Sequence, residues 1–188
     1  MRIIAGSKKG AVLFAPRGMD TRPTQAKTRE SLFSIIQLYV PDADVLDLFA
    51  GSGALALEAL SRGARSAALV DVDREAADCV RRNVEKLQML DKARLYRCDW
   101  RQALPKLRQD GATFDLVFLD PPYRMTNLAE ICAALCEQGL LLRGAMLVLE
   151  HAAAAPQTLD ARFTLFRHRD YGDTQIDFYL FEEDTPHV

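Results

Sequence analysis

A glycine-rich turn between an apolar segment and a helical segment sets the fold class of this 188-residue chain. Residues 45–49 predict a short strand, and residues 54–61 predict a helix. Between them lies the pattern G-x-G-x-x-G/A, formed by Gly51, Gly53 and Ala56. Glycines in this pattern let the backbone approach a ligand without a Cβ in the way. The same pattern is compatible with a tight strand-to-helix turn that binds nothing.

Strand and helix patterns alternate along the rest of the chain. Short apolar segments alternate with longer segments in which apolar residues recur at helical spacing. Two apolar segments on either side of a turn at 171–174 follow at the end of the chain. This order predicts an α/β fold with a parallel sheet, helices on both faces and a terminal antiparallel hairpin. The predicted strands are 45–49, 66–70, 93–98, 115–119, 145–150, 163–167 and 175–181, and the predicted helices are 54–61, 74–88, 100–107, 127–137 and one from about Thr24 to Pro41.

Aspartates lie within or directly after the first three predicted strands of the alternating region. Asp71, 20 residues after Gly51, can accept hydrogen bonds from both hydroxyls of a ribose. Asp47 is a poor neighbour for a phosphate but suits a cationic amine, which favours S-adenosylmethionine over NAD; it could instead bond nearby backbone amides. Asp99 could accept a hydrogen bond from the adenine amino group, or it could cap the helix that begins at Trp100.

The motif Asp120-Pro121-Pro122-Tyr123 follows the apolar strand at 115–119. Its two prolines end the strand and stiffen the loop. The Asp120 carboxylate and the Pro121 carbonyl can each accept one N–H of an exocyclic amine, while the Tyr123 ring can stack on the base. Two such acceptors favour a pyramidal nitrogen whose lone pair points at a sulfonium methyl group, and Asp120 can take the departing proton. The other interpretation is a stiff turn with a surface tyrosine.

Charge is distributed unevenly, although the net charge is only −2. Residues 1–30 carry a balance of +5 and residues 31–188 a balance of −7. A basic end on an acidic body predicts contact with an anionic partner, although a solvated basic tail has the same composition. No apolar run is long enough for a membrane span, the first residues do not match a secretion signal, and four cysteines in such a chain predict reduced thiols and a cytoplasmic protein.

These motifs together resemble the RsmD family, within the class I methyltransferases that act on exocyclic amines. The resemblance runs from about residue 2 to residue 181. The glycine turn and the Asp-Pro-Pro-Tyr motif are shared by many methyltransferases, whereas the N-terminal stretch is the more specific part. The segments that carry the resemblance are RIIAG (2–6), RPT (22–24), RESLF (29–33), LDLFAGSGAL (46–55), EALSRGA (58–64), DPPY (120–123), EH (150–151) and YGDT (171–174).

The resemblance implies a Rossmann-like class I methyltransferase fold with a mostly parallel seven-stranded sheet. It implies methyl transfer from S-adenosylmethionine to N2 of one guanine in 16S rRNA, the guanine numbered 966 in the family's name. We expect a monomer that acts on a small ribosomal subunit or on its assembly intermediate. Residues 1–23 would form a basic N-terminal extension with a short β-hairpin, from strands at 3–5 and 11–14, and residues 24–188 would form the methyltransferase domain.

The site residues that the resemblance implies fall into three groups, and no metal site is expected. The cofactor group is Asp47, Phe49, Ala50, Gly51, Ser52 and Gly53 for the methionine end, Asp71 and Val72 for the ribose, and Asp99 and Trp100 for the adenine. The guanine group is Asp120, Pro121, Pro122 and Tyr123. The RNA group is Lys8, Arg22, Thr24 and Arg29.

Two positions depart from the family pattern, and two other functions stay open. Thr28 stands where many members have Val, and Trp100 stands where a small residue is more usual, which bears on cofactor affinity. A DNA adenine-N6 methyltransferase would use the same kind of amine, but no separate DNA-recognition segment is visible at this length. An RNA-binding assembly factor without turnover is the other alternative, and the intact Asp47, Asp71 and Asp120 argue against it.

Overall fold

The computed structural model describes residues 1–16, 23–122, 125 and 127–182, and only the backbone at 23–25. The predicted site residues Arg22 and Tyr123, and the side chain of Thr24, therefore lie outside the described residues. None of the helices in these ranges has the length and apolar character that a membrane span requires.

Twelve helices and strands in the described ranges build one sheet with helices on both faces. In chain order they are α1 (Pro23–Ile35), β1 (Asp44–Asp47), α2 (Ala54–Ser61), β2 (Ser66–Val70), α3 (Arg74–Leu87), β3 (Ala93–Tyr96), α4 (Trp100–Gln109), β4 (Phe114–Leu119), α5 (Leu128–Glu137), β5 (Leu141–Ala152), β6 (Phe163–Tyr171) and β7 (Thr174–Phe181). The spatial order of the strands is β3-β2-β1-β4-β5-β7-β6. The first five strands in this order, β3, β2, β1, β4 and β5, are parallel to one another, and β7 is antiparallel to both β5 and β6. The predicted fold class is confirmed.

The order of the strands reverses at β1, which lies between β2 and β4. In open parallel sheets such a reversal leaves a crevice at the carboxyl ends of the strands, and ligands bind there. The topology therefore places the glycine turn after β1 and the loop after β4 at one crevice.

Apolar side chains cover both faces of the sheet. Along β1, Val45 packs in the core with α1, α2 and α3, whereas Leu46 packs in the opposite core with α4 and α5. Along β4, Phe118 lies on the Val45 face and Leu119 on the Leu46 face. This alternation explains why the strands read as nearly continuous apolar segments, as is typical of parallel strands that are covered on both sides.

Residues 1–16 form a ribbon on the domain that folds back on itself, with backbone hydrogen bonds from Ile3 to Ala11 and from Leu13 to Met1. The predicted strands at 3–5 and 11–14 are not formed in full, because the β-pairing described in this segment is one antiparallel bridge between Arg2 and Val12. The ribbon is fixed to the domain by side chains of other elements, so it does not need a regular partner strand.

Glu58 of α2 is the main anchor of this ribbon. The side chain is fully buried, and it accepts hydrogen bonds from the backbone N–H groups of Ile4 at 2.7 Å and Ala5 at 2.9 Å. The Nε atom of Arg62 donates to Glu58 at 2.8 Å, and the Nε atom of Arg29 lies 4.0 Å from it. The carboxylate of a residue on α2 thus holds the N-terminal ribbon. The residues in contact are more than 50 positions apart in the sequence, so no local pattern predicts the contact.

The bounds of α2 and β2 are as predicted, while others shift. Helix α1 ends at Ile35 and not at Pro41, because the chain turns at 36–40, where the backbone N–H of Tyr39 donates to the carbonyl of Ile36 at 2.8 Å. Strand β1 ends two residues early, at Asp47, where the glycine turn begins. Strands β5 and β6 are longer than predicted. Strand β6 pairs with β7 along its length, whereas β5 pairs with β7 over 146–152 and with β4 from Leu141 onward.

Candidate active site

Four neighbouring strands end in carboxylates at one edge of the sheet. In spatial order these are Asp71 after β2, Asp47 at the end of β1, Asp120 after β4 and Glu150 near the end of β5. The registers of β1 with β2, β1 with β4 and β4 with β5 bring these positions to a similar level of the sheet. We call these four residues the carboxylate row. Three of them are predicted site residues, and the structure brings them to one crevice.

Asp47 is the most buried member of the row, with 1% of its surface exposed. Its carboxylate accepts hydrogen bonds from the backbone N–H groups of Phe49 and Ala56, so part of its alternative, structural role is present. Its Oδ1 atom is buried without a hydrogen-bond partner among the residues that the structure describes. Burial, followed by the charges of Asp120 and Asp71, raises the pKa of Asp47 to about 7. A buried carboxyl with a spare acceptor atom suits a cationic ligand.

The glycine turn is held by Asp71. Gly51 and Gly53 both have a positive φ, of 55° and 79°. The N–H of Gly51 donates to Oδ2 of Asp71 at 2.7 Å, and Oδ1 of Asp71 accepts from the N–H of Asp73 at 2.9 Å. A Cβ on Gly53 would lie 3.1 Å from the Leu69 side chain, so this glycine also permits close packing of α2 on the sheet. Each Asp71 oxygen keeps a further lone pair for hydroxyl groups of a ligand.

The other predicted cofactor residues near the turn differ in exposure. Ala50 and Ser52 are buried, and Phe49 is half-buried. Val72, directly after Asp71, is 70% exposed. An exposed apolar side chain beside a carboxylate that is free to accept hydroxyl hydrogen bonds can cover one side of a ribose or a planar base.

Asp99 and Trp100 have clear structural contacts. The Asp99 carboxylate caps α4 by accepting from the backbone N–H of Arg101 at 2.9 Å, which is the alternative that the sequence left open. Its role toward adenine stays a prediction. Trp100 is buried in the core on the Leu46 face, and its Nε1 atom has no hydrogen-bond partner within the described ranges. The Arg101 guanidinium lies 4.3 Å from the centre of the Trp100 ring.

Asp120 and Glu150 share a small cleft. Asp120 is open to solvent through it, but the surrounding protein atoms desolvate its carboxyl and raise the pKa to about 6. Burial, and then repulsion by Asp120, raises the pKa of Glu150 to about 8. Two carboxyls with raised pKa values in one cleft, one of them raised in part by the charge of the other, are typical of an active site. The cleft is lined by Asp120, Pro121, Met125, Glu150, His151, Ala152 and Ala155.

The predicted RNA residues are divided between surface and interior. Lys8 is half-buried on the N-terminal ribbon. Arg29 is only 7% exposed, and its guanidinium donates to the carbonyl oxygen of Arg2 at 2.6 Å. The contacts of Arg29 thus hold the ribbon in place, and its burial does not support direct contact with RNA. Arg22 and the side chain of Thr24 lie outside the described residues.

Glu150 carries no role in the sequence analysis, yet it completes the carboxylate row. Its position directly after the apolar residues of β5, like that of Asp120 after β4, was the signal available in the sequence. The next residue, His151, is held by Asp177, since Nε2 of the ring lies 2.9 Å from Oδ2 of that aspartate. The other oxygen of Asp177 lies 2.6 Å from Nδ1 of His168 on β6.

Comparisons with known proteins match almost the whole chain. The family described as "Conserved hypothetical protein 95" matches residues 1–180. The Bacillus subtilis protein YlbH is 38% identical over 181 residues, 95% of this chain and 98% of that protein. "Ribosomal RNA small subunit methyltransferase D" of Escherichia coli is 35% identical, over 98% of this chain and 90% of that protein. The solved structure of the Escherichia coli protein yhhF is 35% identical, has a TM-score of 0.85, and the match covers 98% of this chain and 99% of that one.

Proposed function

This chain belongs to the family described as conserved hypothetical protein 95, and on that premise we propose that it transfers a methyl group from S-adenosylmethionine to the exocyclic N2 of a guanine in small-subunit ribosomal RNA. A relative of 35% identity is named for methylation of that RNA. The observation that carries the proposal is the position of Asp120 and Pro121 after β4, beside the buried Asp47 at the end of β1. The Asp47 carboxyl suits a cationic methyl donor, and the Asp120 carboxyl suits the amine that is methylated.

S-adenosylmethionine fits the charges of the row. Its α-ammonium group is a partner for the Oδ1 atom of Asp47, which is buried and unpaired within the described part of the chain. Its ribose hydroxyls suit Asp71, and its adenine is proposed to lie near Val72, Asp99 and Trp100. A dinucleotide would instead bring phosphates toward carboxylates, which like-charge repulsion disfavours.

Asp120 and Pro121 act on the amine. Bound S-adenosylmethionine supplies a methyl group on a positively charged sulfur, which keeps the C–S electron pair and leaves as a neutral thioether. The Asp120 carboxylate and the Pro121 carbonyl accept the two N–H groups, which favours a pyramidal nitrogen with an available lone pair. The nitrogen bonds the methyl carbon and gives up one proton. Asp120, with a pKa raised to about 6, can take that proton directly or through water.

The proposed RNA side is the basic N-terminal segment, 1–23, on the methyltransferase domain, 24–188. Lys8, together with Arg22 and Thr24, is proposed to contact phosphates, and Tyr123 to stack on the base. The guanine must be unpaired or turned out of its helix to reach Asp120. We propose that a monomer acts in the cytoplasm, on a small ribosomal subunit or its assembly intermediate.

Product analysis tests this function. The protein is incubated with S-adenosylmethionine labelled in its methyl group and with small subunits from cells that lack the activity. The RNA is then digested to nucleosides, which are separated and identified. The variant Asp120→Ala is compared with Asp91→Ala, a matched control in which an exposed aspartate outside the crevice is removed.

We expect label in N2-methylguanosine with the wild type and with Asp91→Ala, and none with Asp120→Ala. Label in N6-methyladenosine, in DNA or in RNA, would keep the fold and the cofactor but reject guanine as the substrate. Binding of S-adenosylmethionine without any labelled nucleoside would favour the RNA-binding factor without turnover.

A further inference from the structure

Glu150 lies beside Asp120 on the same face of the sheet. The preceding residues of β4 and β5 are paired in register, so the residues that follow them are neighbours. Side chains alternate along a strand, and Phe118 and Val148, two residues earlier in each strand, both pack on the Val45 face. Asp120 and Glu150 therefore point to this same face, and both line the cleft after β4. Their mutual repulsion is consistent with this closeness.

Asp120 and Glu150 form no hydrogen bond or ion pair with any of the residues that the structure describes. The neighbouring Asp47 adds a buried acceptor atom, Oδ1, that has no partner in the same ranges. Carboxyl groups that share a partly desolvated site without a counter-charge are costly. Within the described ranges no cluster of His, Cys, Asp and Glu is arranged to hold a metal ion. These acceptors can bind N–H or O–H donors of a ligand, and the proposed substrate offers N–H groups.

We propose that Glu150 accepts a hydrogen bond from N1–H of the target guanine and thereby selects guanine over adenine. The inference rests on the proposed function and deepens it. The Watson–Crick edge of guanine carries three N–H groups in a row, two on the 2-amino group and one on N1. Asp120 and Pro121 accept from the amine, and Glu150 accepts from the next donor along the edge.

Adenine presents the opposite pattern beside its amine. Its N1 atom is an acceptor, so an ionised carboxyl at that place faces a lone pair and no bond forms. A base that offers an amine alone leaves Glu150 without a partner, and an unpaired charged group at the site lowers affinity. The Glu150 side chain, near the end of β5, thus supplies the discrimination that Asp120 and Pro121 cannot, because those two contact a group that both bases carry.

The protonation state of Glu150 determines how strict this selection is. Among the residues that the structure describes, the ionisable groups that share the cleft with it are Asp120 and His151. In the neutral form Glu150 keeps one acceptor oxygen but gains an O–H that can serve an acceptor such as N1 of adenine. Because its pKa is raised to about 8, the selection is tested above pH 8, where the carboxyl is ionised and only accepts.

A change in the base provides the test. 2-Aminopurine keeps the 2-amino group of guanine but has no hydrogen on N1. Small-subunit RNA is assembled by ligation with guanine or 2-aminopurine at the methylated position, and methyl transfer to each is measured above pH 8. The enzymes are the wild type, Glu150→Ala, Glu150→Gln and Glu85→Ala, in which an exposed glutamate of α3 is removed as a matched control.

In the wild type and in Glu85→Ala we expect kcat/KM for guanine to exceed that for 2-aminopurine by about tenfold or more. Glu150→Ala should lower kcat/KM for guanine about tenfold and bring the ratio between the two bases to within about threefold. Glu150→Gln should keep more of the activity on guanine, because its amide oxygen still accepts, and should tolerate 2-aminopurine better, because its amide nitrogen donates to N1.

The opposite pattern would overturn the inference. If Glu150→Ala and Glu150→Gln favour guanine over 2-aminopurine as strongly as the wild type does, Glu150 does not contact N1–H, although the methylation of guanine stands. If the wild type labels no guanine, the proposed function itself is wrong, and the inference falls with it. The wild-type reaction on guanine thus separates the two failures.

Discussion

At the scale of single residues, Asp120 sets the expected pH dependence of methyl transfer. Only the ionised carboxyl can take the proton of the amine, and burial raises its pKa to about 6. As the pH falls below 6 the carboxyl becomes protonated, so we expect the single-turnover rate to fall about tenfold per pH unit. Single-turnover methylation of small subunits over a pH series on both sides of 6 measures this. A rate that does not change across the series would contradict the role of Asp120.

At the same scale, Asp47 is proposed to contribute to the affinity for the cofactor. In Asp47→Asn the charge is removed with little change in shape, so the α-ammonium group loses its ionic partner. We expect the Kd for S-adenosylmethionine to rise about tenfold or more, since hydrogen bonds to charged groups contribute about 1.5–3 kcal/mol. Calorimetric titration measures this change, with Asp91→Asn as the exposed control. Equal affinities of the two variants would show that Asp47 is only structural.

The same buried carboxyl makes the stability of the ligand-free protein depend on pH. Folding raises the pKa of Asp47 from its ordinary value near 4 to about 7, because burial disfavours the charged form. An acid with a raised pKa in the folded state costs stability as the pH rises from its unfolded to its folded pKa. We therefore expect ligand-free Asp47→Asn to exceed the wild type in free energy of unfolding by about 1 kcal/mol or more at pH 8 and to match it near pH 4, as measured by urea unfolding.

At the scale of elements, helix α2 joins the N-terminal ribbon to the sheet. The carboxylate of Glu58 accepts from two backbone N–H groups and from Arg62 inside the protein. Glu58→Gln removes the charge and turns one acceptor into a donor. With the remaining oxygen at the Oε1 position, the Ile4 N–H faces the new amide donor without an acceptor, and Arg62 keeps its hydrogen bond but loses its ionic partner. We expect a loss of about 3 kcal/mol in the free energy of unfolding. Urea unfolding of this variant beside the exposed control Glu85→Gln, which should change by less than about 0.5 kcal/mol, checks it.

Local patterns predicted most elements, and the failures have physical reasons. The bounds of α2 and β2 are fixed by the glycine turn and by a short apolar run, both visible in the sequence. Helix α3 begins directly after Asp73, whose carboxylate accepts from the N–H of Ala76 at 2.8 Å, a cap that the sequence also encodes. The strands predicted at 3–5 and 11–14 failed because the N-terminal ribbon is held by the distant Glu58. The length of β5 depends on its pairing with β4 and β7, which no local pattern encodes.

In the candidate site too, residues with a local sequence signature could be predicted, and residues placed by long-range pairing could not. Asp47, Asp71 and Asp120 could be predicted because each lies beside a turn or motif with its own signature. Glu150 could not be placed beside Asp120 without the register of β4 with β5, and that register results from packing along whole strands. The burial of Arg29 was also hidden, since a basic residue in a basic segment is usually solvated.

At the scale of the whole molecule, the basic N-terminal segment on an acidic body predicts a salt-dependent association with RNA. Each phosphate contact releases counterions, so affinity falls as salt concentration rises. We expect the dissociation constant for small-subunit RNA to rise steeply with salt, and the double variant Lys8→Gln, Lys9→Gln to have a shallower slope. Filter binding over a salt series measures both slopes. An affinity that does not depend on salt would rule out phosphate contacts by this segment.

In the cell, the proposed activity determines the methylation of one nucleotide. The most direct measurement is mass spectrometry of nuclease fragments of small-subunit rRNA from cells without the gene, and from the same cells supplied with the wild type or with Asp120→Ala. We predict that one guanine lacks a single methyl group in the deletion, that the wild type restores it, and that Asp120→Ala does not. Unchanged methylation of every small-subunit guanine in the deletion, or its recovery with Asp120→Ala, would contradict the assignment.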